Sequence, residues 1–370
     1  MLVMATPTPT PPPTPTSWRG RRVLVTGHTG FKGGWLSHWL HQLGAEVGGF
    51  ALAPPTDPSL FVQTRLAELV RHVEGDVRDA AAVDAVIADF RPEVIFHLAA
   101  QPLVRASYAD PVATYATNFM GTVNVLDSCR RLPGVRAVVC VTTDKCYENR
   151  EWVWPYRETD PMGGHDPYSS SKGAAEIAIA AYRRSYFSKD GPAVASVRAG
   201  NVIGGGDWAE DRLIPDVIRA LLAGKRPLIR APASIRPWQH VLDALGGYLR
   251  LAERLLDSNR SFAAPYNFGP SDDDARPVSW VVDRLLAAWG AAGWDWPAGE
   301  QPHEAVLLRL DTSKARAELS WRPVLRLDQA LDWVAEWHRD VAAGGDARTI
   351  TKSQLAEFQK MSSITAAEVR

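Results

Sequence analysis

The sequence predicts an α/β protein: a doubly wound parallel sheet covered by helices, followed by a smaller mixed α/β region. Three observations predict it. From Arg21 onward, short β-branched runs alternate with longer helical patterns, the order that right-handed strand-helix-strand units impose. Several of these runs are apolar at consecutive positions, as strands buried on both faces must be. The first run leads directly into a glycine-spaced loop and then into a helical pattern.

The opening stretch, Met1 to Ser17, is a Pro/Thr repeat (TPTPTPPPTPT) with neither a basic nor an apolar block. It reads as neither a signal peptide nor a membrane span, and a disordered, partly polyproline II tail is expected over residues 1–17. RVLVT (Arg22 to Thr26) is the first strand, with a helix over Lys32 to Leu43. EVGGFAL (Glu46 to Leu52) and VRHVE (Val70 to Glu74) are the next two, before a helix over Asp79 to Asp89. VIFHL (Val94 to Leu98) precedes a helix over Val112 to Arg131. AVVCV (Ala137 to Val141) precedes one over Tyr168 to Phe187, and AVASVR (Ala193 to Arg198) is the sixth strand. Beyond Arg198 the texture changes to glycine-rich GGGD (Gly204 to Asp207), Pro-punctuated segments and long loops. Residues 18–200 are therefore read as one domain and 201–342 mainly as a second, with 238–268, including PYNFG around Asn267, returning to the first sheet. Residues 343–370 form an appended helix or tail.

A chain of 370 residues, 46% hydrophobic and with a formal net charge of −1, can bury a full core but carries no electrostatic footprint for nucleic acid. A small-molecule partner is expected. Three cysteines without C-x-x-C spacing suggest neither a disulfide framework nor a zinc site, and fit a reducing cytoplasm. His97 and His165 have no partner at ligand spacing, so no metal is assigned. No run of about eighteen apolar residues occurs, so no transmembrane helix is expected.

VLVTGHTGFKG (Val23 to Gly33) places Gly27 at a tight strand-to-helix turn, Gly30 where backbone can approach a pyrophosphate, and Gly33 where helix and strand pack closely. In this setting the motif reads as a Rossmann-type dinucleotide site, the anion resting on the helix N-terminus. The acidic residue that usually ends the second strand and grips the ribose of NAD is missing: the stretch reads FALAPP (Phe50 to Pro55), with Asp57 late. No arginine replaces it to hold a 2′-phosphate, although Lys32 is placed for a phosphate contact, so NAD is expected over NADP. Asp76, in EGDV (Glu74 to Val77), is either an acceptor for the adenine amino group or a helix N-cap before Arg78 and Asp79.

In DPYSSSK (Asp166 to Lys172), Pro167 suits a first helical turn, and the i, i+4 spacing puts Tyr168 and Lys172 on one face. A phenol has a reference pKa of about 10, and lowering it by about three units takes roughly 4 kcal/mol, which a nearby ammonium and a cationic nicotinamide can supply. Thr143, at the end of the fifth strand, is placed to donate or relay a proton at a sugar hydroxyl.

With HLAAQ (His97 to Gln101), NFMGT (Asn118 to Thr122) and YSSSK (Tyr168 to Lys172), the chain resembles extended short-chain dehydrogenases/reductases acting on nucleotide sugars, over about Arg21 to Ala342. HTGFKG (His28 to Gly33), TDKCYEN (Thr143 to Asn149) and DPMGGHDPY (Asp160 to Tyr168) resemble, more narrowly, the CDP-glucose 4,6-dehydratase family. The resemblance implies NAD held by Gly27, His28, Gly30, Phe31, Lys32, Gly33, Asp76 and Val77, then by Leu98, Ala99, Ala100, Tyr168 and Lys172. It implies CDP-glucose as substrate, with C4 oxidised, water lost across C5 and C6, and the same hydride returned to C6. Tyr168 would take the 4-hydroxyl proton. Asp144 is the acid at the departing C6 hydroxyl if burial raises its pKa; Lys145 is the base at C5 if desolvation lowers its own, or else an electrostatic stabiliser of the enolate. Related dTDP-glucose dehydratases carry Asp-Glu where this chain has Asp-Lys.

By the same resemblance Gln101, Arg105, Arg198, Asn201, Arg236 and Arg309 are substrate residues, though Arg198 and Arg309 read equally as ion-pair partners. Trp208 and Trp238 either flank the ligand or pack. Asn118 orients the Tyr168-Lys172 pair. The helices over Val112 to Arg131 and Tyr168 to Phe187 resemble a pair that forms a four-helix homodimer interface, which a tetramer can extend, although intramolecular packing would show the same stripes. A cytoplasmic place in deoxysugar and lipopolysaccharide O-antigen biosynthesis is implied. A nucleotide-sugar 4-epimerase shares Thr143, Tyr168 and Lys172 but needs no Asp144-Lys145 pair. A non-catalytic NAD-sensing protein would not need the Tyr/Lys pair.

Overall fold

A computed structural model describes residue 13 and residues 15–257, 260–296 and 308–368. Ten strands are described: β1 (Arg22–Thr26), β2 (Glu46–Ala51), β3 (Arg71–Glu74), β4 (Val94–His97), β5 (Ala137–Val141), β6 (Ala193–Ala199), β7 (Asn201–Ile203), β8 (Ile235–His240), β9 (Pro265–Phe268) and β10 (Ala275–Pro277). Seven form a parallel sheet in the order β3-β2-β1-β4-β5-β6-β9, and β10-β8-β7 form a second sheet. The strand order reverses between β1 and β4, where Thr26 pairs with His97. A crevice at the carboxyl ends of the strands is the consequence, and it is where ligands bind in such sheets.

The central strands β4, β5 and β6 are buried along their whole length, and their period of two sorts the core. In β5, Ala137, Val139 and Val141 face the larger core, while Val138 and Cys140 face the smaller one on the opposite side. In β6, Ala195, Val197 and Ala199 join the larger core and Val194 the smaller. Ser196 and Arg198 therefore point to the same side as Val194, toward the helix Pro167–Ser185. Strand ends depart from the sequence reading by a residue. Leu98, for example, falls just outside β4: its N–H is shared between Thr26 O at 3.1 Å and Thr26 Oγ1 at 3.2 Å, and the next N–H, of Ala99, goes to Thr26 Oγ1 at 3.2 Å.

Two local differences matter more. The stretch expected as one helix over Val112 to Arg131 is α-helical at Pro111–Tyr115 and Gly121–Arg131, with a π turn over Ala116–Met120 between them. Such turns widen a helix locally, and this one carries the buried Asn118. The expected tail over residues 1–17 lies outside the described residues at 1–12 and 14. Pro15–Trp18, however, form a helical turn, because Trp18 is fully buried and its indole N–H donates to Glu253 Oε1 at 2.9 Å. At the other end, Ala347–Glu368 is helical and Phe358 packs edge-on against Trp39 at 5.5 Å.

The chain leaves the first sheet at Ala199 and enters the second at Asn201, so a single residue, Gly200, joins them. A Cβ on Gly200 would lie 2.5 Å from Pro237 Cγ and 3.0 Å from Asp144 Oδ2. After β8 the helix Val241–Leu256 returns to pack on β5 and β6, and β9 adds beside β6.

That helix carries a buried acid in its first turn. Asp243 is 1% exposed; its Oδ1 accepts from Val324 N at 2.6 Å, and Oδ2 has no hydrogen-bond partner among the described residues. Burial pushes its carboxyl up from 3.8 to about 7. Because the folded state holds this proton more tightly than the unfolded chain, its stabilising contribution is complete below about pH 4 and lost by about pH 7. Asp243→Asn should remove this dependence: the stability gap between variant and wild type should change across that range by at most about 4 kcal/mol. Urea midpoints measured from pH 4 to 7 test this, and a constant gap would refute it.

Candidate active site

The glycine loop bends because of sterics at two of its glycines. Gly27 has φ +76°, and a Cβ there would meet Ala99 N at 2.7 Å; a Cβ on Gly33 would meet Gly27 O at 2.2 Å. Gly30, which begins the helix Phe31–Gln42, is different. A Cβ there would touch only Gly27 O, at an ordinary 3.4 Å, so the bare backbone faces open space. A cavity of about 2350 Å³ begins at this loop and runs past Leu98, Ala99 and Ala100 to the ends of β5 and β7. Sites for one small ligand span about 300–1,000 Å³; this one has room for a dinucleotide and a second ligand end to end. A phosphate at Gly30 would meet the helix N-terminus, so loop and cavity together fit a dinucleotide.

Where the cavity passes the end of β2, the second strand offers no carboxylate. Thr29 Oγ1 donates to Leu52 O at 3.0 Å, and Asp57 stands exposed on the wall beyond. Asp76 and Val77 line the cavity, but the Asp76 carboxylate accepts from Arg78 N at 2.9 Å and Arg78 Nε at 2.7 Å. These bonds hold it below the usual carboxylate range. The helix N-cap is Asp79. His28 turns its ring away from the cavity. The ring is buried against Gly49, where a Cβ would come within 2.3 Å of it, and its Nε2 lies 2.7 Å from His72 Nδ1. Burial, with the His72 charge, pushes His28 down to about 3.

The other end is crowded. Tyr168, Lys172, Thr143 and Asp144 are each less than 9% exposed, whereas Lys145 is exposed on the cavity wall. Asp166 caps the helix Pro167–Ser185 through Ser169 N at 2.9 Å, with Pro167 in its first turn. Thr143 Oγ1 donates to Asp144 Oδ1 at 3.0 Å, and the same hydroxyl bears on the Tyr168 phenol. Lys172 Nζ donates to Val141 O at 3.1 Å. Asn118 holds the far side of the helix: its Nδ2 donates to Ser171 Oγ at 2.9 Å, and Ser171 Oγ donates to Tyr168 O at 2.7 Å.

Burial dominates the titration of this cluster. It raises the Asp144 carboxyl above its ordinary value, opposed by the Lys145 charge and the Thr143 hydrogen bond, as the sequence reading required of an acid. It pushes Lys172 down to about 8. It also pushes the Tyr168 phenol up to about 12, against the Thr143 hydroxyl and with the help of Asp144. Desolvation outweighs the lowering that Thr143 and the Arg212 charge exert on the phenol. Lys145 is not buried, so the desolvation that the sequence reading asked of it does not arise.

Three of the residues read as substrate contacts line the cavity and three do not. Asn201, Arg236 and Arg105 are on its wall, Arg105 pairing with Asp211 at 3.2 Å. Gln101 is turned into its own loop, with Nε2 donating to Leu103 O and Thr114 Oγ1 at 3.0 Å each. Arg309 is not on the described wall, although its neighbour Leu308 is; its carbonyl accepts from Tyr156 N at 2.8 Å. Arg198 is 3% exposed beneath the site, paired with Glu176 at 2.9 Å. Trp208 and Trp238 both line the cavity while largely buried.

Three further residues escaped sequence reasoning. Arg212 lines the cavity, pairs with Asp207 at 3.1 Å and bears electrostatically on Tyr168. Tyr248, from the helix Val241–Leu256, hydrogen-bonds Lys32 Nζ at 3.5 Å. Arg230 lies on the wall and shares Asp211 with Arg105. Lys32 itself reaches inward, pushed down to about 7 by burial and then by the charges of Arg212 and Lys172. The one available signal was the position of Arg212 just before the amphipathic helix Leu213–Leu222.

The NAD dependent epimerase/dehydratase family model matches residues 23–264. The chain belongs to this family. Among its relatives in the family, CDP-glucose 4,6-dehydratase of Salmonella typhimurium is 50% identical over 347 residues, covering 92% of this chain and 97% of that one. A dTDP-glucose 4,6-dehydratase of Streptomyces antibioticus is 30% identical, covering 86% and 92% respectively. In solved structures, dTDP-glucose 4,6-dehydratase of Streptomyces venezuelae, crystallised with NAD, aligns with TM-score 0.73 at 26% identity over 88% of this chain and 99% of that one. UDP-glucose 4-epimerase of Thermotoga maritima aligns with TM-score 0.74 at 22% identity over 86% and 99%, a likeness of fold. No helix among the described residues is long and apolar enough to cross a membrane.

Proposed function

We propose that the chain converts CDP-glucose to CDP-4-keto-6-deoxyglucose as a 4,6-dehydratase. One observation carries this reading beyond the family: Asp144, an acid raised by burial, stands beside Lys145 on the turn that also presents Thr143 to Tyr168. A 4-epimerase needs only the last two with Lys172; a buried proton donor beyond them suits loss of a hydroxyl. Half of the sequence shared with a CDP-glucose 4,6-dehydratase supports the same choice.

Bound NAD would supply the hydride acceptor for sugar C4 and the hydride donor for C6. Tyr168 takes the proton of the 4-hydroxyl and Thr143 steadies that oxygen. The ketone acidifies C5, whose proton passes to Lys145 acting as base; Asp144 gives its proton to the C6 hydroxyl, which leaves as water, and the Lys145 ammonium so formed steadies the enolate and returns its proton to C5 as hydride arrives at C6. Gly27, Gly30, Phe31, Lys32 and Gly33, with Asp76, Val77 and Leu98 to Ala100, hold the cofactor. Asn201, Arg236 and Arg105 serve the nucleoside diphosphate, for which guanidinium forks are suited.

The same reading makes the protein a cytoplasmic homodimer in deoxysugar biosynthesis. Val112 and Met120, on the helical segments from Pro111 to Arg131, are 77% and 45% exposed, and Ile177 and Tyr186, on the helix Pro167–Ser185 and at its C-cap, are 61% and 54% exposed. Apolar side chains so placed support a second copy of the same helices.

Incubation with CDP-glucose and NAD should yield a sugar with the alkali-induced absorbance of a 4-keto-6-deoxy product. Recovery of only unchanged or C4-epimerised sugar would overturn the assignment.

A further inference from the structure

Beneath the Thr143-Asp144-Lys145 turn lies a polar network in which every strong group is satisfied. Glu176 sits on the helix Pro167–Ser185 one turn after Lys172 and is 4% exposed. Its Oε1 accepts from Thr142 Oγ1 at 2.5 Å and Arg198 Nε at 2.9 Å; its Oε2 accepts from Ser196 Oγ at 2.7 Å and Arg198 Nη2 at 2.9 Å. All four acceptor sites of the carboxylate are thus used. Arg198 Nη1 then donates to the Tyr147 hydroxyl at 2.7 Å and to Glu158 O at 3.2 Å. The Tyr147 hydroxyl donates onward to Asn267 Oδ1 at 2.7 Å.

The two side chains grasped by this network are informative by position. Thr142 immediately precedes the turn and Tyr147 immediately follows Asp144–Cys146. One ion pair therefore holds both ends of the segment that presents Thr143, Asp144 and Lys145. The carboxylate that makes the hold belongs to the helix that presents Tyr168 and Lys172. Helix and turn also touch directly, since a Cβ on Gly173 would lie 3.3 Å from Cys146 O. A buried ion pair is rarely a net gain in stability over well-packed apolar side chains, so this one calls for another role.

We infer that Glu176 and Arg198, acting through Thr142 and Tyr147, are positioning residues that fix the acid-bearing turn relative to the Tyr168 helix. Arg198 is then no substrate contact: it sets the spacing between the group that handles the 4-hydroxyl and the group that handles the 6-hydroxyl. Misplacement of reacting groups by about 1 Å can cost on the order of 10²-fold in rate, with little effect on ligand affinity when the binding residues lie elsewhere, as Asn201 and Arg236 do.

The inference rests on the dehydratase reading for its kinetic arm and on the fold alone for a second arm. Glu176→Gln and Tyr147→Phe are compared with wild type for dehydration of CDP-glucose, and for amide hydrogen exchange of residues 142–147 without substrate. The expected result is kcat lower by about 10- to 100-fold, with KM within about threefold, and faster exchange in that segment. Glu176→Gln keeps the side-chain shape; should it fail to fold, Tyr147→Phe, which deletes one hydroxyl, decides the matter. Unchanged kcat and unchanged exchange in folded variants overturn the inference, as does a rise in KM at constant kcat in Arg198→Lys, which would make Arg198 a substrate residue. Absence of 4-keto product from wild type sinks the dehydratase reading instead and leaves the exchange arm to judge the positioning.

Discussion

Tyr168→Phe should abolish hydride transfer from sugar C4, lowering kcat by about 10² to 10⁴, the range for loss of a general base. The phenol is buried and pushed up to about 12, so bringing it to neutrality takes about five pKa units, roughly 7 kcal/mol. That is more than the three units a solvated phenol would need. The excess makes the phenol a reluctant base until positive charge and the substrate hydroxyl stand beside it. The variant should fold, because the ring remains in place and the hydroxyl's contact is with Thr143. Transfer of a C4 isotope label to the cofactor under single-turnover conditions is the direct measurement, and near-normal transfer would remove Tyr168 from the role of base.

Asp144→Asn should separate the two halves of the reaction. The amide keeps the shape of the side chain and can still accept the Thr143 hydroxyl, which lies 3.0 Å from Oδ1, but it has no acidic proton to give. Elimination should slow by about 10² to 10³, while C4 oxidation changes by only a few-fold, so that oxidised sugar and reduced cofactor accumulate together. Equal loss of both steps would assign Asp144 to binding. Lys145 is exposed a residue away, and its removal should leave the proton donor in place, so the two neighbours are separable by mutation.

Much of this was legible in the chain because the relevant signals are local. Apolar runs named the first six strands, and glycine spacing named a loop in which Gly27 and Gly33 have no room for a side chain. Tyr168 and Lys172 are brought together by one helix, so their spacing alone placed them. What was missed depends on parity and register. The motif around Arg198 does not say which face of β6 it occupies; its shared side with Ser196, two residues earlier, was the available clue. His28 turns under the sheet because Gly49 of β2 is paired with His72 of β3, a match unknowable before the register is known. Arg212 and Tyr248 come from elements distant in sequence. The π turn around Asn118 has the same apolar stripe as an ordinary helix, so only the structure reveals the extra residue in that turn.

Gly200 has a consequence beyond connecting two sheets. The first crossing between the sheets is one residue long, and a side chain on that residue would come within 3.0 Å of Asp144 Oδ2 and 2.5 Å of Pro237 Cγ. A methyl group at this one position would press on the Asp144 carboxyl and on the second sheet at once, so the space the carboxyl occupies is kept open by a missing side chain.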